Sequence, residues 1–195
     1  MSQFISVFDM LKIGVGPSSS HTLGPWRAAQ SFIEKLQKNN IFHLVDAVKI
    51  DLYGSLSLTG KGHATDIAVL LGLSGEDPET IDVREIENII KDIELFKTLK
   101  LNGIKEVKFQ SDDLVFDREF LPFHANGMIF RAYENGQILS KETYYSIGGG
   151  FIVQEDDTLE DEIEINKQNF PYPINKALQL EEYCDREGVT ISDIV

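Results

Sequence analysis

Three hydroxyl side chains and an imidazole follow one another within Gly14–Thr22, which reads Gly-Val-Gly-Pro-Ser-Ser-Ser-His-Thr. Glycine reaches positive φ and proline fixes φ, so this stretch is unsuited to a regular helix or strand. A run with helical spacing follows it, and the N–H groups and dipole at a helix N-terminus favour an anion. We therefore predict binding of a small carboxylate, with an ordinary serine-rich N-cap as the alternative. The residues concerned are Ser18, Ser19, Ser20, His21 and Thr22.

A second glycine-rich stretch lies between a predicted strand and a predicted helix. A phosphate-binding P-loop has the pattern G-x-x-x-x-G-K-[ST]. Here five residues separate Gly54 from the next glycine, and a further glycine replaces the magnesium-binding hydroxyl, so the nucleotide interpretation fails. A loop of N–H donors suited to a small carboxylate remains, and the alternatives are an exposed lysine and an incidental histidine. The residues concerned are Thr59, Gly60, Lys61 and His63.

Two other stretches have polar or glycine residues that could face a pocket. His124 and Asn126 precede a predicted strand, although a histidine beside an Asn-Gly pair is also common as surface detail. The run Gly148-Gly149-Gly150 indicates either a β-bulge or a close approach of the backbone to another group.

The helices that must position these residues follow from the spacing of apolar residues. That spacing predicts a helix over 22–38 and an amphipathic core helix over 83–100. A continuous apolar run over 67–71 predicts a buried helix, closed by Gly72 or Gly75.

Alternation of apolar and polar residues predicts five strands, one in the first half of the chain and four after Asn102-Gly103. The Asn135-Gly136 pair is a strong hairpin signal. We therefore expect an α+β domain, in which helices of a short first half are followed by antiparallel strands. The predicted strands are 48–53, 104–110, 114–120, 128–133 and 138–145.

The two ends of the chain differ from this central part. A short buried element is predicted over residues 4–13, and the segment 155–164 has seven acidic residues and no basic one, as a solvated extension would. A helix is expected over 174–187, and Ser192 looks like the N-cap of another helix. Because the chain stops soon afterwards, we expect a fragment of a longer polypeptide. The expected division is a domain over 1–155 and an acidic loop, linker and helix over 156–195.

Composition limits the classes of function. A chain of 195 residues with 42% hydrophobic residues is expected to fold around one substantial core. The net charge of −14 argues against nucleic acid or an anionic membrane as a partner. Cys184 is the only cysteine; we interpret it as structural, and it excludes an iron–sulfur cluster ligated by the cysteines of this chain alone. This cysteine usage fits a cytosolic setting.

Four stretches together resemble the bacterial iron–sulfur L-serine dehydratases, and they occur in the order found in that family. The resemblance covers residues 5 to about 155, and one departure is His124-Ala125-Asn126-Gly127, where the family usually has His-Pro-Asn-Gly. The four stretches are Gly16–Thr22, Tyr53–Asp66, His124–Met128 and Tyr144–Phe151.

The resemblance implies the β domain of such an enzyme, similar in fold to the allosteric substrate-binding domain of some bacterial phosphoglycerate dehydrogenases. The full-length enzyme would convert L-serine to pyruvate and ammonia, as a cytoplasmic homodimer serving amino-acid catabolism and gluconeogenesis. It would use a 4Fe–4S cluster held by a separate catalytic domain, and no pyridoxal phosphate. In that chemistry iron acts as a Lewis acid on the leaving hydroxyl while a base removes the α-proton.

The resemblance also implies roles for individual residues. His63 and His124 are the candidate acid–base residues, because an imidazole titrates near neutrality. The two glycine-rich or serine-rich loops, with Asn126, Gly148 and Gly149, would bind the substrate. This chain is expected to be inactive without the catalytic domain. The alternatives are a regulatory module that binds L-serine without any atom in the reaction, and a scaffold surface for dimerisation.

Overall fold

The computed structural model describes residues 14–155, 172 and 177–194. The chain divides into two compact units, one of residues 11–156 and the other of residues 1–10 with 157–195. The predictions for residues 4–13, for most of the acidic run 155–164 and for the start of the 174–187 helix lie outside the described residues.

A mixed, mostly antiparallel sheet is the main feature of the first unit. Its strands are β1 Ala47–Tyr53, β2 Thr98–Leu101, β3 Lys105–Lys108, β4 Leu114–Asp117, β5 Gly127–Glu134, β6 Gln137–Gly148 and β7 Phe151–Gln154. The order across the sheet is β2-β3-β1-β5-β6-β7, and β4 also pairs with β1. β1 runs parallel to β3 and β4 and antiparallel to β5, so it lies between partners that follow it in the chain.

Helices cover one face of this sheet. They are α1 Gly24–Lys38, α2 Ser55–Thr59, α3 Thr65–Leu73 and α4 Ile86–Phe96. The second unit has its own helices, α5 Ala177–Glu187 and α6 Ile191–Ile194. Shorter turns are a π-helical turn at Ser19–Leu23 and 3₁₀ turns at Phe42–Leu44, Gly60–His63 and Ser111–Asp113. No helix among the described residues is long and apolar enough to cross a membrane.

The core lies between α1, α3 and the covered face of the sheet. Alternate residues of β1 point into it, and Val48, Ile50 and Leu52 are at most 1% exposed. Phe32 of α1 stacks on Phe130 of β5, with 5.3 Å between ring centroids. Burial of each such side chain contributes about 1.5–3 kcal/mol to stability. This core therefore fixes the positions of the helix and strand ends from which the connecting loops begin.

The predicted α+β class is confirmed, and so is the Asn135-Gly136 hairpin. Both residues have positive φ, 49° for Asn135 and 79° for Gly136, as a type I′ turn between β5 and β6 requires. The helix predicted over 22–38 is also present, although its first residues belong to the π-helical turn.

The helix predicted over 83–100 is present, but it is shorter at both ends, since α4 spans Ile86–Phe96. α4 ends at Phe96 because Lys97 adopts a left-handed φ of 55°, and the following residues form β2. Leu99 and Leu101 alternate with polar residues and are buried in that strand. The predicted amphipathic packing is confirmed, because Ile93 belongs to the core and Ile89 and Ile90 pack against it.

The stretch before α3 is helical and not the open loop that its glycines predict. α2 and the 3₁₀ turn at Gly60–His63 fill it, and Ala64 with a φ of 54° separates that turn from α3. α3 is closed by Gly75, which has a φ of 84°. Gly72 lies inside α3, where an added Cβ would be 2.4 Å from the carbonyl oxygen of Trp26.

The described part of the second unit consists of α5 and α6. Tyr172 packs on Tyr183 of α5 with 5.5 Å between ring centroids, and Cys184 is partly buried. The N-cap predicted at Ser192 is wrong, because Ser192 lies inside α6. The backbone N–H of Thr190 instead donates to Asp193 Oδ2 at 2.8 Å, which places the start of the helix earlier.

Candidate functional site

The imidazole of His21 lies between two serine hydroxyls. Its Nδ1 is 2.9 Å from Ser20 Oγ, and its Nε2 is 2.9 Å from Ser55 Oγ. A neutral imidazole has one donor and one acceptor nitrogen, so one of the two serines must donate its proton to the ring. The turn that presents His21 is capped by Ser18, whose Oγ accepts the His21 backbone N–H at 3.3 Å. Ser18 therefore caps this turn, and the His21 side chain takes no part in the cap.

Ser55 is a site residue that the sequence analysis did not single out. Gly54, with φ 55° and ψ −121°, separates it from the end of β1 at Tyr53. Ser55 is the first residue of α2. Its backbone N–H donates to the carbonyl oxygen of Ala125 at 2.8 Å. The signal was a Gly-Ser pair at the end of an alternating strand, where a sharp turn exposes the next side chain.

A second imidazole, that of His63, lies against His21 with 5.0 Å between ring centroids. His63 Nδ1 is 3.0 Å from the carbonyl oxygen of Thr59. A carbonyl can only accept, so Nδ1 carries the proton and Nε2 of the neutral ring has the lone pair. His63 is half-buried and in the tautomer of a base at Nε2.

Two threonines join the segments that present these histidines. Thr22 Oγ1 donates to the His63 carbonyl oxygen at 3.0 Å, and Thr65 Oγ1 donates to the His21 carbonyl oxygen at 2.6 Å. Both threonines are buried. Each segment therefore holds the other in place, and Thr65 is a second residue that sequence reasoning missed.

His124 and Asn126 form a loop that is joined to the same region. The Asn126 backbone N–H donates to His124 Nδ1 at 3.1 Å, so the neutral ring of His124 carries its proton on Nε2. Asn126 is buried, and its Nδ2 donates to the Ser146 carbonyl oxygen at 3.1 Å. The predicted Asn126-Gly127 turn is wrong, because Gly127 opens β5.

The remaining predicted residues have different surroundings. Lys61 is exposed, with its Nζ 5.6 Å from the centroid of the Phe116 ring, and Thr59 Oγ1 donates to the Ser55 carbonyl oxygen at 2.9 Å. Gly60 is buried and Ser19 is exposed. Gly148 and Gly149 are half-buried at the turn between β6 and β7, with φ of 99° and 61°.

Burial lowers the pKa of His21 below its usual value of 6.5, the nearby positive charge of protonated His63 lowers it further, and the hydrogen bond with Ser55 opposes both effects. His21 is therefore predominantly neutral at pH 7. A neutral ring can accept a proton or a hydrogen bond, as binding or proton transfer would require.

The lowered pKa of His21 predicts a pH dependence of stability. Between the lowered pKa and about 6.5 the unfolded chain binds more protons than the folded one, so the free energy of unfolding rises with pH. Urea unfolding from pH 5.5 to 7.5 is expected to show this rise in the unmodified chain and a smaller rise in His21→Gln. His43→Gln is the matched control, because it removes an exposed imidazole and should leave the slope unchanged. An unchanged slope in His21→Gln would contradict the prediction.

An iron–sulfur cluster does not fit the residues present. Cys184 is the single cysteine of the chain, and the described residues contain no group of three or more His, Cys, Asp or Glu that could hold a metal ion. Thiolate ligands for a cluster would have to come from outside this chain. The candidate site instead consists of hydroxyls, imidazoles and an amide.

Comparisons with known proteins match the region that contains this site. The sequence profile of the family described as serine dehydratase beta chain matches residues 6–157. The chain is 45% identical to L-serine dehydratase 1 of Escherichia coli over 192 residues, 97% of this chain and 42% of that protein. It is 43% identical over 195 residues to the L-serine dehydratase of Streptomyces coelicolor, 98% of this chain and 43% of that protein. It is 38% identical over 192 residues to that of Helicobacter pylori, 97% of this chain and 42% of that protein.

Proposed function

The chain belongs to the serine dehydratase beta chain family, and from that premise we propose that it binds the carboxylate of L-serine and supplies acid–base histidines to a dehydratase active site. The full-length protein would convert L-serine to pyruvate and ammonia as a cytoplasmic homodimer. The chain spans about two fifths of the length of its relatives, 42% of the Escherichia coli protein. The active site is therefore proposed to be shared with the part of the protein beyond this chain, where any iron–sulfur cluster would be held.

The observation that carries this proposal is the convergence on His21 of residues 55 and 63–65, which lie more than 30 positions later in the chain. Ser55 Oγ is 2.9 Å from its Nε2, the His63 ring centroid is 5.0 Å from its own, and Thr65 Oγ1 is 2.6 Å from its carbonyl oxygen. These residues belong to stretches that also carry the family resemblance. A set of polar side chains, partly buried and mutually oriented, is what specific binding of a small polar molecule needs.

Loss of water from L-serine needs a base for the α-proton and a proton for the departing hydroxyl. The Nε2 lone pair of His63 suits the first role, because its Nδ1 is occupied by the Thr59 carbonyl oxygen. The Nε2–H of His124 suits the second role or a hydrogen bond to substrate, because its Nδ1 accepts from Asn126. The carbon–hydrogen electron pair would form the double bond as the carbon–oxygen bond breaks, and hydrolysis of the resulting enamine would release ammonia and pyruvate.

The substrate carboxylate is proposed to lie near the turn that carries His21. Serine hydroxyls and an ammonium are suitable donors for a carboxylate, and charge-assisted hydrogen bonds are stronger than neutral ones. The ammonium is that of exposed Lys61, the only lysine or arginine among the proposed binding residues. The proposed binding residues are Ser18, Ser19, Ser20, His21, Thr22, Thr59, Gly60, Lys61, Asn126, Gly148 and Gly149.

Exposed apolar side chains next to the site support a shared active site. Leu58, Phe120 and Phe123 are 58%, 60% and 50% exposed. Phe120 lies against Gly54, where its ring would be 2.8 Å from an added Cβ, and Phe123 packs on Tyr145 with 4.9 Å between ring centroids. Apolar surface beside a polar site is typical of a face that another domain covers.

Titration of isotope-labelled chain with L-serine, followed by amide NMR, tests the binding part of this proposal. If the site is shared, millimolar L-serine should leave the amide resonances of 18–22 and 60–63 unchanged in this chain and shift them in the full-length protein. D-serine, with the same charge and composition, is the control for nonspecific effects. Stereoselective shifts in the isolated chain would instead favour a self-contained regulatory site, comparable to the allosteric domain of phosphoglycerate dehydrogenases. No shifts in either protein would contradict both proposals.

A further inference from the structure

Ser146 of β6 is fully buried, with 0% of the residue exposed, and it bonds to two separate parts of the candidate site. Its Oγ donates to the carbonyl oxygen of Ser20 at 2.7 Å. Its backbone N–H donates to the Asn126 carbonyl oxygen at 3.0 Å, and its own carbonyl oxygen accepts from Asn126 Nδ2 at 3.1 Å. One residue of the sheet therefore contacts both the turn that presents His21 and the loop that presents His124.

The space around the Ser146 side chain is closely filled. A Cβ added to Gly24, the first residue of α1, would lie 2.0 Å from Ser146 Oγ and 2.8 Å from its Cβ. Cβ atoms in real structures essentially never lie within 3.0 Å of a heavy atom from a residue that is not adjacent in the chain. A glycine at position 24 is thus needed for the Ser146 hydroxyl to take the position from which it reaches Ser20.

We propose that Ser146 is a positioning residue that sets the orientation of His21 through the Ser20 backbone. Gly24 makes this possible, because it has no Cβ in the space that the Ser146 side chain occupies. The inference rests on the proposed function, since it concerns the same site. Ser146 is buried and acts without touching substrate: it fixes the Ser20 carbonyl, and Ser20 Oγ in turn contacts His21 Nδ1 at 2.9 Å. Removal of the hydroxyl leaves the partly buried Ser20 carbonyl without this donor and lets the turn shift.

The first test is Ser146→Ala in the full-length protein, with Ser74→Ala as the matched control. Ser74 is also buried, and its Oγ donates to the Leu70 carbonyl oxygen at 2.9 Å at the other end of α3. Both variants lose one buried hydroxyl–carbonyl bond, so both should lower the melting temperature to a similar degree. Only Ser146→Ala should raise the KM for L-serine, by about tenfold, with kcat changed less than KM. Equal KM values in the two variants would overturn the inference.

The second test needs no substrate. Imidazole ¹⁵N resonances of His21, measured in this chain, report which nitrogen is protonated and how each is hydrogen-bonded. Ser146→Ala should move them towards the values of a tautomerically averaged ring, while Ser74→Ala leaves them unchanged. Resonances of His21 that stay the same in Ser146→Ala would count against a positioning role.

A swapped pair separates packing from hydrogen bonding. The double variant Gly24→Ala/Ser146→Gly moves the Cβ from residue 146 to residue 24, so the space between α1 and β6 is filled again. Its melting temperature should therefore be higher than that of Gly24→Ala alone. It still lacks the hydroxyl, and the raised KM should therefore persist. A swapped pair with the unmodified KM would show that packing alone is needed and would overturn the inference.

The two proposals fail in distinguishable ways. If the unmodified full-length protein forms no pyruvate from L-serine, the proposed function fails, and the His21 resonances still decide whether Ser146 positions the ring. If pyruvate forms normally and both KM and the resonances are insensitive to Ser146→Ala, only the positioning role fails.

Discussion

Replacement of His63 with alanine is expected to lower kcat for pyruvate formation by the full-length protein by about two to four orders of magnitude. General acid–base groups contribute rate factors of about that size. Among the two candidate histidines, His63 is the one whose Nε2 has a lone pair, because its Nδ1 lies 3.0 Å from the Thr59 carbonyl oxygen. It also lies against His21. Replacement of this proposed base removes the group that would accept the α-proton.

Steady-state assays of pyruvate measure this effect, with His43→Ala as the matched control. His43 is an exposed histidine outside the candidate site, so its loss should leave both kcat and KM unchanged. His124→Ala is expected to reduce kcat as well, because it removes the Nε2–H donor. If His63→Ala and His124→Ala shift KM or cooperativity and leave kcat intact, the site is regulatory and the proton-transfer role is excluded.

Gly54→Ala is expected to lower the free energy of unfolding by about 2–6 kcal/mol. The pair φ 55° and ψ −121° is a conformation that residues with a Cβ avoid, and such strain costs about 1–3 kcal/mol. An added Cβ would also lie 2.4 Å from the Ala125 carbonyl oxygen, which is backbone and cannot turn aside. Overpacking of this kind costs about 1–3 kcal/mol.

Urea unfolding followed by circular dichroism measures the change, and Gly62→Ala is the matched control. Gly62 lies in the nearby 3₁₀ turn, where an added Cβ has no atom within 4 Å. Alanine there should be neutral or slightly stabilising, because it restricts the unfolded chain. Equal midpoints for Gly54→Ala and Gly62→Ala would contradict the account of the turn after β1.

Local patterns in the sequence were enough to predict most of the elements, and the reason is physical. α1 and β1 bury one face against a common core, so their apolar residues recur with the period of a helix or a strand. The predicted C-terminal end of the helix over 83–100 was wrong because the apolar residues continue the helical spacing into Thr98–Leu101, which is a strand. What ends α4 is the left-handed backbone of Lys97, and a lysine gives no local sign of that conformation.

Sequence reasoning singled out His21 and His63 as candidates but not Ser55, Thr65 and Ser146, which belong to the same hydrogen-bonded set. The two histidines stand out because an imidazole titrates near neutrality and each lies in a glycine-rich or serine-rich stretch. Serine and threonine are common residues, and their role depends on which residues lie near them in the fold. Ser55 reaches His21 because β1 ends beside the π-helical turn, and nothing in the local pattern specifies that adjacency. The order of strands is likewise a property of the whole chain.

The position of β1 has a consequence for how the protein is made. β1 pairs with β3, β4 and β5, all of which the ribosome synthesises later. Ser55 therefore emerges 91 residues ahead of Ser146, the last member of the hydrogen-bonded set described above. At a translation rate of about 5–20 residues per second, roughly 5 to 20 seconds pass before the sheet can close. Until β3, β4 and β5 emerge, both edges of β1 lack the strands that pair with them. A nascent chain paused between β1 and β3 is therefore expected to be a chaperone substrate.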